Sequence, residues 1–278
     1  MTKFNEYLIS LRAEKKAANT IARYADAIAN FFAFVNKDAE RVEKYDVLAW
    51  MESMSDASSA TVNIKLNALN SYFKFLCECE TIEKNPVANV KRPSIHSKPK
   101  EFMSADMVSA LIKAATNARD KALISCYATT GLRFNELASI TLEQYEQMRK
   151  DGANKIAMTG KGGKEFFVFF SDANIAAIEQ YLPKRKDGCE YLFTSTWGGK
   201  INNANFDKTL KVVGRKAGLP FEISAHSLRA ACASIMSENG VPVAVIRDVL
   251  HHSSISTTSR YIKTNEKAVN AAVSAMTF

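Results

Sequence analysis

The segment NPVANVKRPSIHSKPK, residues Asn85 to Lys100, separates two differently patterned parts of the chain. It contains three prolines and five basic residues, His96 included, and it has little hydrophobic periodicity. Proline interrupts helices and disfavours the helical conformation in the residue before it. We therefore predict an extended basic linker here, with a first domain at residues 1–92, the linker proper at 93–101 and a second domain at 102–278.

Upstream of the linker, apolar residues recur every three or four positions, a spacing typical of amphipathic helices. Four helices are predicted, the third from Lys44 to Met54 and the fourth capped by Ser58 or Ser59. The apolar stripes are Phe4, Leu8 and Leu11 in the first helix, Ile21, Tyr24, Ile28, Phe31 and Val35 in the second, and Val62, Leu66, Leu69, Phe73 and Leu76 in the fourth.

Downstream of the linker, the pattern again favours helices, interrupted by one convincing hairpin. In KIAMTGKGGKEFFVFF, Lys155 to Phe170, apolar and aromatic runs flank a glycine-rich turn. The fold class is therefore mainly α, with a small antiparallel β-sheet in the second domain. The predicted helices run from Ser104 (as the cap) to Ala115, Arg119 to Thr129, briefly after Gly131, Asn174 to Leu182, Asn203 to Ala217, Ser227 to Asn239 and Val243 to Leu250.

Composition and charge limit the kinds of protein to which this chain can belong. Of 278 residues, 47% are hydrophobic and 24% charged, which is typical of a folded globular protein. Residues 1–100 carry 15 Lys and Arg against 12 Asp and Glu, and the remainder carries 22 against 17, so both parts are mildly basic. This balance suits a polyanionic partner, although it also suits a slightly basic protein without one. No apolar run approaches a membrane span, and the N-terminus lacks a signal-peptide core, so we expect a cytoplasmic protein with no membrane partner.

Five cysteines without a C-x-x-C pair favour reduced thiols and argue against a zinc site.

Six polar residues of the second part could act together on a phosphate. Arginine binds phosphate bidentately, histidine and lysine can donate or move protons, and tyrosine can be a nucleophile. Because the sequence offers no cluster of carboxylates to bind Mg²⁺, arginine would have to neutralise the negative charge of the phosphate. The six are Arg133, Lys161, His226, Arg229, His252 and Tyr261.

Each of these residues also has an ordinary structural explanation when taken alone. Arg133 and Glu136, three apart, would usually form a salt bridge, and a lysine at a hairpin turn is usually a solvated charge. A single histidine or tyrosine is more often a hydrogen-bonded packing residue than a catalyst. Only the combination of the six indicates chemistry.

Their order along the chain resembles that of the tyrosine recombinases of the phage-integrase family, in particular the compact Xer-type members. TTGLRFNEL matches the first arginine box, TGKGGKE the hairpin with the catalytic lysine, HSLR the H-x-x-R box, and VLHHSSISTTSRY the box that ends in the nucleophile. Residues 1–92 resemble the family's SAM-like helical core-binding domain.

The resemblance implies a role for each residue. Arg133, Arg229 and His252 would bind the scissile phosphate, with Glu136 supporting Arg133, and Tyr261 would form a 3′-phosphotyrosyl link. Lys161 would protonate the leaving 5′-oxygen, with Lys164 the alternative, and His226 would assist. No metal or other cofactor is implied. The partners would be double-stranded DNA with specific recombination sites and three further protomers, in a homotetramer or a hetero-tetramer with a paralogue, in the cytoplasm at the nucleoid.

Three positions depart from the family pattern. His251 stands where glycine is usual, Ala230 where a histidine often follows the second arginine, and Phe166 where the hairpin commonly has K-E-R. If position 251 needs a positive φ, histidine is among the less costly non-glycine residues. We expect these departures to affect the rate rather than the kind of chemistry.

Three other functions remain open at this point. A type IB topoisomerase or telomere resolvase would share the chemistry, and a non-catalytic DNA-binding protein could share the scaffold, although the complete set of six residues argues against it. A metal-dependent hydrolase using His226, His251 and His252 would lack a ligand motif such as H-E-x-x-H.

Two further expectations concern DNA recognition and assembly. Asparagine can bind adenine edges in the major groove and lysine can bind phosphate, so the polar side of the fourth helix could face DNA. A solvated surface is the equally good alternative. That side carries Asn63, Lys65, Asn67, Asn70 and Lys74.

The second expectation concerns assembly and the C-terminal segment 265–278. Its apolar residues recur at helical spacing, which predicts a short helix that needs a surface to cover. Similar recombinases dock this segment into the neighbouring protomer, whereas folding back on its own domain is the alternative. The apolar residues are Ala268, Val269, Ala272, Val273 and Met276.

Overall fold

The computed structural model describes residues 3–95, 103–160, 163, 165–252, 254–259 and 274. The chain divides into two compact units, residues 1–100 and 101–278, each with its own hydrophobic core. No described helix is long and apolar enough to cross a membrane. Helices dominate both units, and the described strands form one antiparallel pair, as the fold class predicted.

The first unit is a bundle of four helices, as predicted, with a short 3₁₀ turn at Ala39–Arg41. Its core centres on aromatic packing: the Phe31 and Trp50 rings lie 5.1 Å apart, edge to face, and both side chains are fully buried. Ser58 caps the fourth helix by accepting a hydrogen bond from the Thr61 amide at 3.1 Å. The helices are α1 (Lys3–Ala13), α2 (Ala18–Val35), α3 (Lys44–Glu52) and α4 (Ser59–Glu78).

The segment after α4 differs from the extended linker expected from Asn85 onward. The amides of Ala88 and Val90 donate to the carbonyls three residues before them, so the chain forms turns here. Val87 and Val90 are buried in the core of the first unit. Burial of these two valines outweighs the extended preference that the prolines and charges suggest.

The second unit is built around α6, which is buried along almost its whole length. Serine or asparagine caps most of the longer helices, and Ser104 caps α5 as predicted. The helices are α5 (Ala105–Ala114), α6 (Ala118–Thr130), α7 (Phe134–Leu137), α8 (Leu142–Lys150), α9 (Asp172–Tyr181), α10 (Asn203–Lys216), α11 (Ala225–Glu238), α12 (Val243–Val249) and α13 (Ile255–Ser259), with a 3₁₀ turn at Leu182–Lys184.

The predicted hairpin is confirmed as β1 (Lys155–Thr159) and β2 (Glu165–Phe169), paired antiparallel. Ile156 lies opposite Val168, and both are buried, which fixes the face that packs on the core. Phe167 and Phe169 point to the other face and are more than half exposed.

Two helices, α8 and α13, were not predicted. In α8 the apolar residues Leu142, Tyr145 and Met148 are separated by strongly polar pairs, so the stripe is narrow. Thr141 and Gln144 nevertheless form a capping box, with reciprocal bonds of 3.1 and 2.9 Å. Local capping therefore compensates for the weak apolar signal.

Candidate active site

The site begins at the end of α6, where Gly131 turns the chain. Gly131 has φ +65°, a left-handed conformation that side chains other than glycine adopt at a cost. A Cβ at this position would lie 3.1 Å from Val249 Cγ1 and 3.2 Å from the Val249 carbonyl oxygen. Glycine is thus required both for the turn and for the close approach of α12 to the end of α6.

Arg133 follows the turn and is held in place by Glu136. The Glu136 carboxylate accepts from the Arg133 amide at 2.7 Å and from its guanidinium at 2.9 Å. The guanidinium also donates to the His251 carbonyl at 3.4 Å. The Arg133 side chain remains 52% exposed, so it retains donors that can reach a ligand.

Arg229 on α11 is the buried counterpart of Arg133, with only 8% of its surface exposed. Its guanidinium donates to the carbonyls of Gly131 and Leu250, which end α6 and α12. The carbonyl ends of helices are partly negative, so this position favours a cation. The two bonds fix the guanidinium at the junction of three helices.

The loop after α12 carries the two adjacent histidines. His251 has φ +50°, so the backbone at this position is left-handed. The condition under which histidine was expected to replace glycine at low cost is therefore met. Its ring lies against Phe166, with centroids 3.8 Å apart. Burial, the largest cause, lowers the pKa of His251 below its ordinary value.

His252 is oriented by Thr258, whose hydroxyl lies 2.9 Å from Nδ1. The pKa of His252 is lowered to about 4, mainly by burial and to a smaller extent by the positive charges of Arg229 and Arg133. The imidazole is therefore neutral at neutral pH, with one ring nitrogen protonated.

His226 lies in the first turn of α11 and is exposed. It lines a depression of about 490 Å³ together with Arg133, Arg229 and His252. A larger cleft of about 880 Å³ lies against the same arginine and histidine loop and extends along the hairpin. Four of the six predicted catalytic residues are thus brought together.

The other two, Lys161 and Tyr261, lie outside the described residues, as does the alternative acid Lys164. The predicted C-terminal helix at 265–278 lies outside them too, apart from Ser274. Among the described residues, no group of three or more His, Cys, Asp or Glu side chains could hold a metal ion.

Sequence reasoning missed two residues of this region, Thr258 and Phe166. Thr258 is fully buried and belongs to the T-T pair of the last motif, so its place in that motif was an available signal. Phe166 appeared only as a departure from the hairpin pattern. No pairwise signal in a single sequence could show that it contacts a residue 85 positions away.

The asparagines of α4 bond to their own chain. All three interact with the segment that follows the helix, between Asn85 and Pro93. Asn63 donates to the Pro93 carbonyl at 2.9 Å, Asn67 accepts from the Arg92 guanidinium, and the Asn70 side chain accepts from the side-chain amide of Asn85 at 3.0 Å. Base contacts by these asparagines would have to replace these bonds.

The two lysines of the same side are placed differently. Lys65 Nζ lies 5.7 Å from the centroid of the Trp50 ring, close enough for a cation–π contact. Lys74 Nζ lies 3.5 Å from a Glu78 carboxylate oxygen, and the Lys74 side chain is 71% exposed. Such an exposed pair is weak, so Lys74 could exchange it for a phosphate.

Comparison with known proteins agrees with the motifs. The model of the phage integrase family matches residues 101–268, and that of the phage integrase N-terminal SAM-like domain matches residues 3–83. The chain therefore belongs to the phage integrase family, as an enzyme of the tyrosine-type site-specific recombinases, and the resemblance seen in the sequence is confirmed.

Individual relatives cover nearly the whole chain. Tyrosine recombinase XerA of Pyrococcus horikoshii is 30% identical over 273 residues, covering 96% of this chain and 91% of XerA. Tyrosine recombinase XerD of Rickettsia bellii is 28% identical over 284 residues, covering 94% and 92%. A lambda integrase tetramer bound to a Holliday junction shares the fold, with a TM-score of 0.77 and 16% identity over 94% of this chain and 76% of that one.

Proposed function

We propose that this protein recombines DNA at specific sites by cutting and rejoining strands through a 3′-phosphotyrosyl link to Tyr261, without a metal ion or ATP. The observation that carries the proposal is that Arg133, His226, Arg229 and His252 line the same depression. Two guanidinium groups and two imidazoles facing one space suit a phosphate whose negative charge increases in the transition state.

The described contacts suit the phosphate-binding roles. Arg229 is fixed by two helix-terminal carbonyls and Arg133 by Glu136, so both cations are oriented before DNA binds. If Nδ1 of neutral His252 accepts from the Thr258 hydroxyl, Nε2 carries the proton and can donate it to a phosphoryl oxygen. These three residues are proposed to stabilise the pentavalent phosphorus.

The proposed reaction is a phosphoryl transfer. The Tyr261 oxygen attacks phosphorus and passes its proton to His226, and the bond from phosphorus to the 5′-oxygen breaks. Lys161 protonates that oxygen, which leaves as a hydroxyl. A 5′-hydroxyl of the partner duplex then reverses these steps. The ester bond to Tyr261 conserves the bond energy, so the reaction needs no external energy source.

The assignment of domains and partners is part of the proposal. Residues 1–92 would be the core-binding domain, 93–101 the linker and 102–278 the catalytic domain, acting on double-stranded DNA at the nucleoid. Four protomers would act on two duplexes, all alike or with a paralogue. The tetramer of lambda integrase on a Holliday junction, which has the same fold, supports this assembly.

The segment 265–278 is proposed to dock on the neighbouring protomer in that assembly. Deleting residues 268–278 should then leave folding and half-site binding intact, abolish cooperative binding and change which protomers cleave. Unfolding of the truncated protein, or loss of half-site binding, would show that the segment packs on its own domain.

On the first unit, the polar side of α4 is proposed to face DNA. Lys65 and Lys74 would bind phosphate. Asn63, Asn67 and Asn70 would exchange their bonds with the segment 85–93 for contacts with base edges.

A covalent-complex assay tests the proposal. Duplexes selected by binding from a randomised pool are nicked at successive positions and incubated with the protein in EDTA without nucleotide. We expect a denaturation-resistant protein–DNA adduct with the wild type and none with Tyr261→Phe, which should still bind. An adduct that persists in Tyr261→Phe would contradict the assignment.

Recombination of two marked duplexes then separates this function from the type IB topoisomerase alternative. A recombinase exchanges the markers, whereas a topoisomerase only relaxes supercoils. Relaxation without exchange would favour the topoisomerase.

A further inference from the structure

The contact between Phe166 and His251 joins two parts of the second unit that are 85 residues apart. The ring centroids are 3.8 Å apart and the planes are inclined by 36°. Both side chains are half-buried. Ring centroids this close place the two side chains in direct contact.

One end of this contact belongs to the loop that presents His252. The His251 carbonyl accepts from Arg133, and the next residue is His252 itself. The backbone at His251 is left-handed, with φ +50°, which costs a residue other than glycine some stability. Unlike glycine, histidine at this position has a ring, and that ring contacts Phe166.

The other end belongs to the hairpin. The last paired residues before the turn are Thr159 and Glu165, so only Glu165 separates Phe166 from the turn segment that contains Lys161. Phe166 lies opposite the buried Met158, on the face of the hairpin that packs inward. Phe167, on the opposite face, is 52% exposed. The Phe166 ring is thus well placed to connect the turn end of the hairpin with the histidine loop.

The two residues are also two of the three departures from the family pattern noted in the sequence. A glycine at 251 would supply no ring, and an arginine at 166 would supply no aromatic face. The two departures therefore complement each other in space.

We propose that Phe166 and His251 are positioning residues. Their contact holds the hairpin bearing Lys161 at a fixed position relative to the loop bearing His252. The proton donor and the phosphate-binding group then act on the same phosphate. This inference rests on the proposed role of Lys161 as the acid that protonates the 5′-oxygen.

Two variants remove the contact with little other change. Phe166→Leu keeps an apolar side chain, and His251→Asn keeps a residue that tolerates positive φ. Phe167→Leu, on the opposite face of the same strand, is the matched control, and Phe166→Tyr keeps the ring. Each is assayed for half-site affinity and for the single-turnover rate of adduct formation at saturating DNA.

We expect Phe166→Leu and His251→Asn each to slow adduct formation roughly tenfold or more, since small displacements of a catalytic group are costly. Half-site affinity should be unchanged, and Phe166→Tyr and Phe167→Leu should cleave normally. The double variant should be no slower than the slower single variant, because both remove the same contact. Additive losses, or an equal loss in Phe167→Leu, would overturn the proposal.

A second substrate shows which group is displaced. A 5′-bridging phosphorothiolate releases a thiolate that needs no proton, so it bypasses the acid. Both variants should regain wild-type rates on this substrate, as Lys161→Ala should. Rescue of Lys161→Ala without rescue of the two variants would overturn the proposal that this contact positions Lys161.

Failure to rescue Lys161→Ala itself would instead remove Lys161 as the acid. The double-variant comparison then decides the positioning role alone. Non-additive losses would support a contact that positions the loop, and additive losses would reject it.

Discussion

The arginines of the candidate active site and the asparagines of α4 have different kinds of hydrogen-bond partner. Around Gly131, two arginines are held by a carboxylate and by helix-terminal carbonyls, and those bonds leave their positive charge available to a ligand. Along α4, three asparagines bond to the chain's own segment 85–93. A neutral amide that has intrachain partners must give them up before it binds DNA, whereas an oriented cation gives up little.

The largest expected effects come from the two arginines, which should affect cleavage alike but stability differently. Arg133→Ala and Arg229→Ala should each slow adduct formation by at least about 100-fold, because each removes a phosphate ligand. Arg229→Ala should also destabilise the second unit by about 2 kcal/mol, since the buried Gly131 and Leu250 carbonyls lose their donor. Arg133→Ala should cost less than about 1 kcal/mol, because its ion pair is half exposed.

Adduct assays and calorimetry of the same preparations check this pair of predictions. Near wild-type cleavage by either variant would remove that arginine from the site. Equal destabilisation by both would show that the contrast in their burial has no energetic consequence.

The next effect concerns the protonation of His252. Its pKa in the folded state, about 4, lies below the ordinary value near 6.5, so the unfolded chain binds more protons between these values. Stability should therefore decline as the pH falls through this window, and it should decline less in His252→Gln. Removing a nearby positive charge with Arg133→Ala should raise the pKa of His252 only part of the way to its ordinary value, because burial is the main cause of the shift.

NMR titration of the four histidines measures this directly, with His252 assigned from the signal missing in His252→Gln. A His252 that titrates near 6.5 in the folded protein would contradict the expected neutral imidazole.

The smallest effect is expected from the asparagines of α4. A free bidentate contact with adenine discriminates by about 1–3 kcal/mol. Each asparagine here must first break an intrachain bond worth about 1 kcal/mol, so each should discriminate by less. The triple variant Asn63→Ala, Asn67→Ala, Asn70→Ala should thus change sequence preference modestly.

The double variant Lys65→Gln, Lys74→Gln should instead reduce the salt dependence of binding, by a slope of about 0.9 for each phosphate that is no longer neutralised. Binding selections from random DNA at several salt concentrations measure both effects. An unchanged sequence preference in the triple variant would move recognition to another helix, with α2 the first candidate.

Local sequence signals predicted most elements of the fold. The hairpin, the caps at Ser58 and Ser104, and the helices with broad apolar stripes all depend on residues close in sequence. The helix α8 was missed because its narrow stripe is stabilised by a capping box instead. The turns after Asn85 were missed because they depend on burial of Val87 and Val90 in a core formed by distant residues.

The site could be predicted only in part for the same reason. Motif order located Arg133 and Arg229, but not the carbonyls of Gly131 and Leu250 that hold Arg229. Those partners come from two helix ends that meet only in the folded unit. The contact of Phe166 with His251 is similarly nonlocal.

Identifying the residue that is joined to DNA tests the central claim, covalent chemistry at Tyr261, most directly. The adduct formed on nicked DNA is digested with trypsin and nuclease and analysed by mass spectrometry. Arg260 precedes Tyr261 and Lys263 follows it closely, so the modified residue falls within the short peptide Tyr261–Lys263 or a missed-cleavage product that contains it. We expect a nucleotide phosphate on Tyr261 and on no other of the nine tyrosines. A phosphate on another residue, or cleavage of DNA with no covalent adduct, would contradict it.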